Sequence, residues 1–350
     1  AFSSPWLSWK KIMGEWLEAK GDPNKEKVIV NTRFGEPYSL DDNLADAMPL
    51  MKRREQYGAS LPEGVLLLTA GVDVQDNRLE YEVCGWGFGE ECWGIVKGMI
   101  LSRPDVPDTW AELDKILDRV YRFADGKGLK VYRTFVDSGG HYTGHVYRYC
   151  GKHNNRFPIK GYANRPGIEL LYKLGKETGC KVPLIILGVD DGKQQVFNRL
   201  AIQEVGDGYF HFGLDGDKEL AHRGYNEVYF KGLLSEEKRL VKRNGTLKNV
   251  WVPKSGVRNE PLDLRVYNLA AMQSCKVDWE KQFEAVYDQK TVIPVEKLPK
   301  KAISESVVLT EEAPAPLPKR PPGRFSRKNQ NNTASASHPK KSASSTQNYY

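Results

Sequence analysis

Residues 65–100 read VLLLTAGVDVQDNRLEYEVCGWGFGEECWGIVKGMI. Apolar residues form three runs in this stretch, and the two intervals between them hold polar residues or glycines. Runs of this length bounded by turn residues predict three consecutive β-strands. The first run ends in Asp73, and a buried carboxylate requires a cation, a hydrogen bond or a proton. A metal ion is one partner that meets this requirement.

The chain beyond residue 100 alternates helix and strand patterns. A helical stripe covers 107–124, a fourth strand ends at Asp137, and a helix follows from about His141. The last strong pattern, NEPLDLRVYNLAAMQSC at 259–275, predicts a helix with Pro261 in its first turn. Three strands, a helix, a parallel strand and further helices predict an α/β fold, a mixed sheet flanked by helices on the ribonuclease H-like plan.

Composition and cysteine spacing bear on where the protein acts and on which kinds of site it can hold. The 350 residues are 40% hydrophobic, which suffices for a core, and no apolar run approaches the roughly 18 residues of a membrane span. No secretory signal pattern opens the chain, so we expect a cytoplasmic protein with no membrane partner. The five cysteines lack CxxC spacing, which argues against a zinc knuckle or a disulfide framework.

The net charge of +7 is confined to the C-terminal end. Residues 313–350 contain no acidic residue, whereas residues 1–312 carry equal numbers of basic and acidic residues. This Pro-, Ser- and Asn-rich tail is too polar to fold alone. It is interpreted as a solvated end or, alternatively, as an arm that binds DNA or a partner.

Three segments are predicted. Residues 1–60 are expected to hold a helix and a connector, residues 61–278 the ribonuclease H-like domain, and residues 279–350 a basic, disordered tail. The first segment places three tryptophans, among them Trp9 and Trp16, at helical spacing. We expect that apolar face to pack on something outside this chain.

Asp73, Asp137 and Asp263 are the candidate catalytic residues and metal ligands. Two of them end strands, and the third lies on the apolar face of the final helix. Carboxylate oxygens suit Mg²⁺ or Mn²⁺ better than zinc. Two such ions, about 3.5–4 Å apart, support phosphodiester hydrolysis. The alternative is structural, since aspartates at strand ends also cap helices or bind arginine.

Other polar residues give weaker signals. His141, Lys193 and Arg258 are candidate contacts to DNA phosphate. A zinc pair formed by His141 and His145 lacks a third ligand at a suitable spacing, and GVDDGKQQ at 188–195 is too short for a phosphate loop. For Glu260, a helix-start role, in which its charge complements the dipole, is favoured over the alternative of assisting the metal.

Several motifs in order resemble one family. They are LLLTAGVDVQDNRLEYEVCGWGFGEECW, DSGG, PIKG, GVDDGKQQVFNRL and RNEPLDLRVYNLAA, within 4–276. The set resembles the C-terminal nuclease half of large terminase subunits of tailed phages, of the lambda-like type. The resemblance implies a DNA endonuclease dependent on two Mg²⁺ or Mn²⁺ ions, with Asp73, Asp137 and Asp263 as its first, second and third catalytic aspartates.

The resemblance also implies a biological process, a compartment and a set of partners. Such subunits package phage DNA in the host cytoplasm and cut concatemers into genome units. The expected partners are double-stranded DNA, the small terminase subunit, the portal protein and an ATPase half with Walker motifs, which this sequence lacks. Two alternatives stay open: a transposase or resolvase on the same fold, and a non-enzymatic module that docks the portal or small subunit.

Overall fold

The computed structural model describes residues 8–19, 25, 28–35, 47–163, 167–175, 182–218, 220–243 and 246–287. The chain divides into two compact units, Ala1–Ile293 and Pro294–Tyr350, and every described residue belongs to the first. The predicted tail from residue 288 onward therefore lies outside the described residues. Within the described part, each helix is too short or too polar to cross a membrane.

Eight α-helices and thirteen strands are present in the described ranges. The helices are α1 (Trp9–Ala19), α2 (Met48–Met51), α3 (Pro107–Leu117), α4 (Thr143–Cys150), α5 (Val189–Leu200), α6 (Glu227–Leu233), α7 (Glu260–Cys275) and α8 (Trp279–Tyr287). The strands are β1 (Arg54–Glu55), β2 (Leu67–Val74), β3 (Leu79–Trp86), β4 (Cys92–Ile100), β5 (Tyr121–Arg122), β6 (Gly128–Leu129), β7 (Arg133–Asp137), β8 (Arg156–Gly161), β9 (Leu171–Leu174), β10 (Ile185–Leu187), β11 (Phe210–Gly213), β12 (Glu236–Arg243) and β13 (Thr246–Pro253).

Nine strands form one mixed sheet in the order β1-β11-β4-β3-β2-β7-β8-β10-β9. Its centre is β4-β3-β2-β7-β8, in which β3 is antiparallel to both neighbours and β7 and β8 run parallel to β2. This order confirms the predicted ribonuclease H-like plan. The pair β12–β13 stands apart as a separate two-stranded ribbon, and so does the short pair β5–β6.

The sheet separates two hydrophobic cores. Because side chains alternate along a strand, Leu67 contributes to the core covered by α5, α6 and α7, and Leu68 to the core covered by α3 and α4. Phe135 and Val136 divide between the two cores in the same way. By this alternation Asp73 and Asp137 fall on the face that packs against α7.

The helix predicted over 107–124 is too long. It ends at Leu117, and Tyr121–Arg122 instead forms β5, paired with β6. A tight turn joins the two strands, since Phe123 N–H donates to the Lys127 carbonyl at 2.8 Å and Asp125 accepts from Lys127 N–H at 3.0 Å. The aspartate–glycine turn and its β-favouring flanks override the helical pattern.

The fold takes in residues from outside the predicted nuclease segment. β1, from the predicted connector, pairs with β11 at one edge of the sheet. α8 begins at the first residue of the predicted tail, and its Gln282 side chain donates to the Leu66 carbonyl at 2.8 Å. The division into three segments stays a prediction.

The predicted Trp-rich helix is α1. Its Ile12 is buried, whereas Trp9, Met13 and Leu17 are exposed. Trp16 contacts Phe34 edge to face, with ring centroids 5.5 Å apart. One apolar stripe of α1 is therefore open to solvent.

Candidate metal and DNA site

Two of the predicted aspartates lie at neighbouring strand ends. β2 and β7 pair in parallel with Val72 opposite Val136, and Asp73 and Asp137 are the next residues on the two strands. Asp73 is buried, with 5% of its surface exposed, and Asp137 is half-buried. The Gly139 N–H donates to Asp137 Oδ1 at 3.1 Å, so the DSGG turn folds back on the carboxylate that precedes it.

Helix α7 brings the third aspartate against the same strand face. It crosses β2 at Gly71, where a Cβ atom would lie 2.7 Å from the Leu264 carbonyl oxygen. Only glycine permits this approach. The buried Thr69 hydroxyl donates to Asn268 Oδ1 at 2.8 Å and fixes the next turn of the helix. Asp263 is thereby held over the ends of β2 and β7.

Electrostatics show that the three carboxylates affect one another. Burial raises the pKa of Asp73 to about 6; a hydrogen bond from Gln75 opposes this, and the charge of Asp137 adds to it. Burial also raises the pKa of Asp263 to about 7, with Lys193 opposing and Asp73 and Asp137 adding. The pKa of Asp137 is raised by burial as well. A cation among the three would favour their charged forms.

The donor set fits a hard divalent ion by chemistry, since it consists of carboxylate oxygens. In the part of the chain that the structure describes, however, no three His, Cys, Asp or Glu side chains are already grouped to hold a metal. Two of the aspartates bond to amides instead: Gln75 donates to Asp73, and Asn259 donates to Asp263 Oδ2 at 2.8 Å. Metal binding by all three therefore requires side-chain movement.

A second charged layer lies beside Asp73. Glu80 on β3 stands opposite Asp73 in the sheet register and accepts from Arg78 at 2.8 Å, from Lys97 at 2.9 Å and from Arg258. Burial alone would raise the pKa of Glu80, but the hydrogen bonds from Arg78 and Lys97 outweigh it and lower the pKa. The sequence analysis missed this layer.

Glu260 completes the layer. It accepts from Arg78 at 2.7 Å and from Arg258 at 2.9 Å, so both arginines bridge β3 to the start of α7. The available sequence signal was the pair of glutamates at 80 and 82 in an otherwise apolar strand. Inward-facing carboxylates in such a strand call for buried cations.

The three candidate DNA contacts lie in different surroundings. Arg258 is close to Asp73, and its side chain is 57% exposed. Lys193 is buried and donates to Glu236 at 2.6 Å. His141 is exposed, and its Nδ1 lies 2.9 Å from Asp76 Oδ1, which raises the pKa of the imidazole. All three stay predictions; Arg258 and Lys193 border the aspartates.

A family model and two curated relatives match most of this sequence. The family model "Terminase large subunit gpA, endonuclease domain" matches residues 1–283. The chain belongs to this family. The large terminase subunit of Escherichia phage lambda is 32% identical over 292 residues, covering 81% of this chain and 44% of the relative. That of Enterobacteria phage P21 is 32% identical over 288 residues, covering 79% and 43%.

The chain thus spans less than half the length of these two relatives. Among solved structures, one match is a mutant nuclease domain of the large terminase subunit gp2 of bacterial virus Sf6, with manganese. It is 13% identical, with a TM-score of 0.38, and the match covers 63% of this chain and 96% of the other. Family membership identifies the chain as a terminase endonuclease domain and agrees with the predicted resemblance.

Proposed function

We propose that this domain hydrolyses DNA with two divalent ions, Mg²⁺ or Mn²⁺, and cuts concatemeric phage DNA into genome units within a packaging terminase. The observation that carries the proposal is the convergence of Asp73, Asp137 and Asp263 at one sheet end, where burial disfavours all three charges and carboxylate repulsion adds to this for Asp73 and Asp263. A site of this kind favours cations, and the all-oxygen donor set favours hard ones.

We assign different roles in the reaction to the aspartates, to Arg258 and to Lys193. Asp73, Asp137 and Asp263 would hold the ions, which when bound activate water and stabilise the leaving oxygen of an in-line displacement. Arg258 would contact a substrate phosphate, and its ion pairs with Glu80 and Glu260 beside the aspartates support this role. The charge of Lys193 opposes the rise in the pKa of Asp263 and so favours the charged form of that carboxylate, which a metal ion would need.

The wider assembly is part of the proposal. We place the domain on double-stranded DNA in the host cytoplasm, together with the small terminase subunit, the portal protein and the ATPase half of the same polypeptide. The exposed Trp9, Met13 and Leu17 of α1 support a protein partner for that helix.

Nicking of supercoiled plasmid tests the proposal. The wild-type chain, Asp73→Asn and Asp263→Asn are compared in Mn²⁺, Mg²⁺ and EDTA. We expect metal-dependent cleavage by the wild type and a loss of at least about a hundredfold in each variant, because a lost metal ligand costs several kcal/mol of transition-state stabilisation.

Asp125→Asn is the matched control. Asp125 is an exposed turn residue that accepts a backbone N–H, and asparagine keeps an acceptor there. It should cleave like wild type, and circular dichroism should show all variants folded. Equal cleavage by folded Asp73→Asn and wild type would refute the three-aspartate site.

A further inference from the structure

Tyr267 lies on α7 one turn after Asp263, on the helix face that packs against the sheet. It belongs to the hydrophobic core, and only 7% of the residue is exposed. Its hydroxyl forms no hydrogen bond within the part of the chain that the structure describes. Buried hydroxyls are nearly always hydrogen-bonded, because an unpartnered one lowers stability. A role in the site is one reason for a protein to keep this hydroxyl.

Contact with β2 fixes the position of Tyr267. A Cβ atom at Gly71 would lie 3.0 Å from the Tyr267 Cβ atom, so the tyrosine passes directly over that glycine. Gly71 precedes Asp73 by two residues and therefore lies on the same face of the strand. Side chains of a helix tilt toward its N-terminus. On α7 this tilt directs the Tyr267 ring toward Asp263 and the end of β2.

The charges of all three aspartates act on the Tyr267 hydroxyl. Burial raises the pKa of this hydroxyl well above its usual range, and the charges of Asp263, Asp137 and Asp73 add to the rise. Among the three, Asp263 has the largest effect. The hydroxyl therefore faces the carboxylates, in agreement with the direction of the ring. Because it stays protonated at neutral pH, it is available to them as a hydrogen-bond donor.

Asp263 can accept a further hydrogen bond. Its Oδ2 accepts from Asn259 at 2.8 Å. An ionised carboxylate has about four acceptor positions, so one oxygen can bind a metal ion while the other accepts from a second donor. Carboxylates that bind metal ions are themselves hydrogen-bonded by neighbouring side chains, which fix their orientation.

Two other donors beside Asp263 already have another partner. Lys193 donates to Glu236 at 2.6 Å, and Asn259 donates to Glu236 at 3.3 Å as well as to Asp263. The hydroxyl of Tyr267 differs from both, since it is unused in the described part of the chain. It can bond to Asp263 without breaking an existing contact.

We infer that Tyr267 is a positioning residue of the metal site: when Asp263 turns to bind a divalent ion, the Tyr267 hydroxyl donates a hydrogen bond to this carboxylate and fixes its orientation. The inference rests on the proposed metal-dependent function. The ring of Tyr267 serves the core, and the hydroxyl serves the site.

Binding of Mn²⁺ tests the inference without DNA and without cleavage. Isothermal titration calorimetry measures the Kd of Mn²⁺ for the full wild-type chain and for Tyr267→Phe, which removes only the hydroxyl. We expect the variant to bind Mn²⁺ about tenfold more weakly, as is typical when a hydrogen-bonding partner of a metal ligand is lost. Urea unfolding in EDTA should show no loss of stability, because the metal-free fold loses no hydrogen bond.

Tyr57→Phe is the matched control. The Tyr57 hydroxyl is also buried and without a hydrogen bond in the described residues, and Arg223 lies over the ring at 4.6 Å. The charges that act on it most are those of Glu55 and Arg223, and not those of the three aspartates. This variant should bind Mn²⁺ like wild type.

The metal dependence of cleavage gives a second measurement. Plasmid nicking by Tyr267→Phe should need about tenfold more Mn²⁺ for its half-maximal rate. At saturating Mn²⁺ its rate should approach that of wild type, since the hydroxyl acts through the affinity of the site for the ion.

The two proposals can fail separately. A wild-type chain that binds no Mn²⁺ would refute the three-aspartate site and this inference with it. If wild type binds Mn²⁺ and Tyr267→Phe binds it equally well, or is less stable in EDTA, only the role of Tyr267 is refuted. Weaker Mn²⁺ binding by Tyr267→Phe alone would support the role even if no variant cleaved DNA.

Discussion

Gln75 and Asn259 are the two amide residues that hydrogen-bond to the aspartates of the candidate site. Each donates an amide N–H to an aspartate, Gln75 to Asp73 and Asn259 to Asp263. An amide dipole offsets part of a carboxylate charge but far less than a divalent cation does. The two amides thus hold the aspartates in place but neutralise little of their negative charge.

Because this negative charge is largely uncompensated, we expect a bound metal ion to stabilise the folded chain. Saturating Mn²⁺ should raise the free energy of unfolding of the wild-type chain by about 2–3 kcal/mol at 100-fold excess over its Kd, because the ion binds only the folded site. Asp73→Asn and Asp137→Asn should lose most of this gain, and Asp125→Asn should keep it. Thermal melts in Mn²⁺ and in EDTA measure the difference; an undiminished gain in Asp73→Asn would contradict metal binding there.

The sequence predicted some of these residues and not others. Asp73 and Asp137 could be found because strand period and strand ends are visible in the sequence. The pairing of Glu80 with Lys97 and Arg258 could not be found, because it depends on the register of the β3–β4 hairpin and on where the loop before α7 returns. Those relations are set by tertiary packing.

Helix α7 is the element that positions Asp263, and a buried ion pair fixes it to β3. Arg265 donates to Glu82 at 2.6 Å and to the Tyr229 hydroxyl at 2.7 Å, and neither charged side chain is exposed. Arg265 lies two residues after Asp263. The ion pair between Arg265 and Glu82 therefore sets the distance between Asp263 and the sheet.

Glu82→Gln should destabilise the fold by about 3–5 kcal/mol, because it leaves the Arg265 charge buried without its partner. Adding Arg265→Met should restore much of the loss, since the double variant has no buried charge at this position. Urea unfolding measures both. The control is Glu227→Gln, in an exposed pair with Lys231, which should cost at most about 0.5 kcal/mol. A Glu82→Gln loss as small as that would show that the pair does not anchor α7.

Element prediction failed where local patterns competed. The stripe over 107–124 favoured one helix, yet the turn at 123–127 made β5 and β6 from its end. The residues of β13 alone do not show which strand it pairs with. Its pairing with β12 became visible only through the register.

At the scale of the whole molecule, the sheet extends the five-strand centre to nine strands, with β1 at one edge. His211 on β11 links this edge strand to the sheet, since its Nδ1 lies 2.8 Å from Glu55 on β1 and its Nε2 lies 2.7 Å from Glu91. The imidazole is buried and stacks on Trp93 at 5.0 Å. Burial lowers the pKa of His211, but the hydrogen bonds to both glutamates outweigh it and raise the pKa to about 9.

This raised pKa predicts how stability depends on pH. The folded chain holds the His211 proton more tightly than the unfolded chain, so the stabilisation is complete below about pH 6.5 and is lost as pH rises through about 9. We expect a loss of roughly 1–3 kcal/mol over that range, discounted because Glu55 is partly exposed.

Urea unfolding at pH 6.5, 8 and 9.5 measures this loss as the difference between wild type and His211→Gln, which should be large at pH 6.5 and small at pH 9.5. His222→Gln, at an exposed histidine, should follow the wild-type curve. If His211→Gln also ran parallel to wild type from pH 6.5 to 9.5, the edge of the sheet would be held by packing and not by the protonated imidazole.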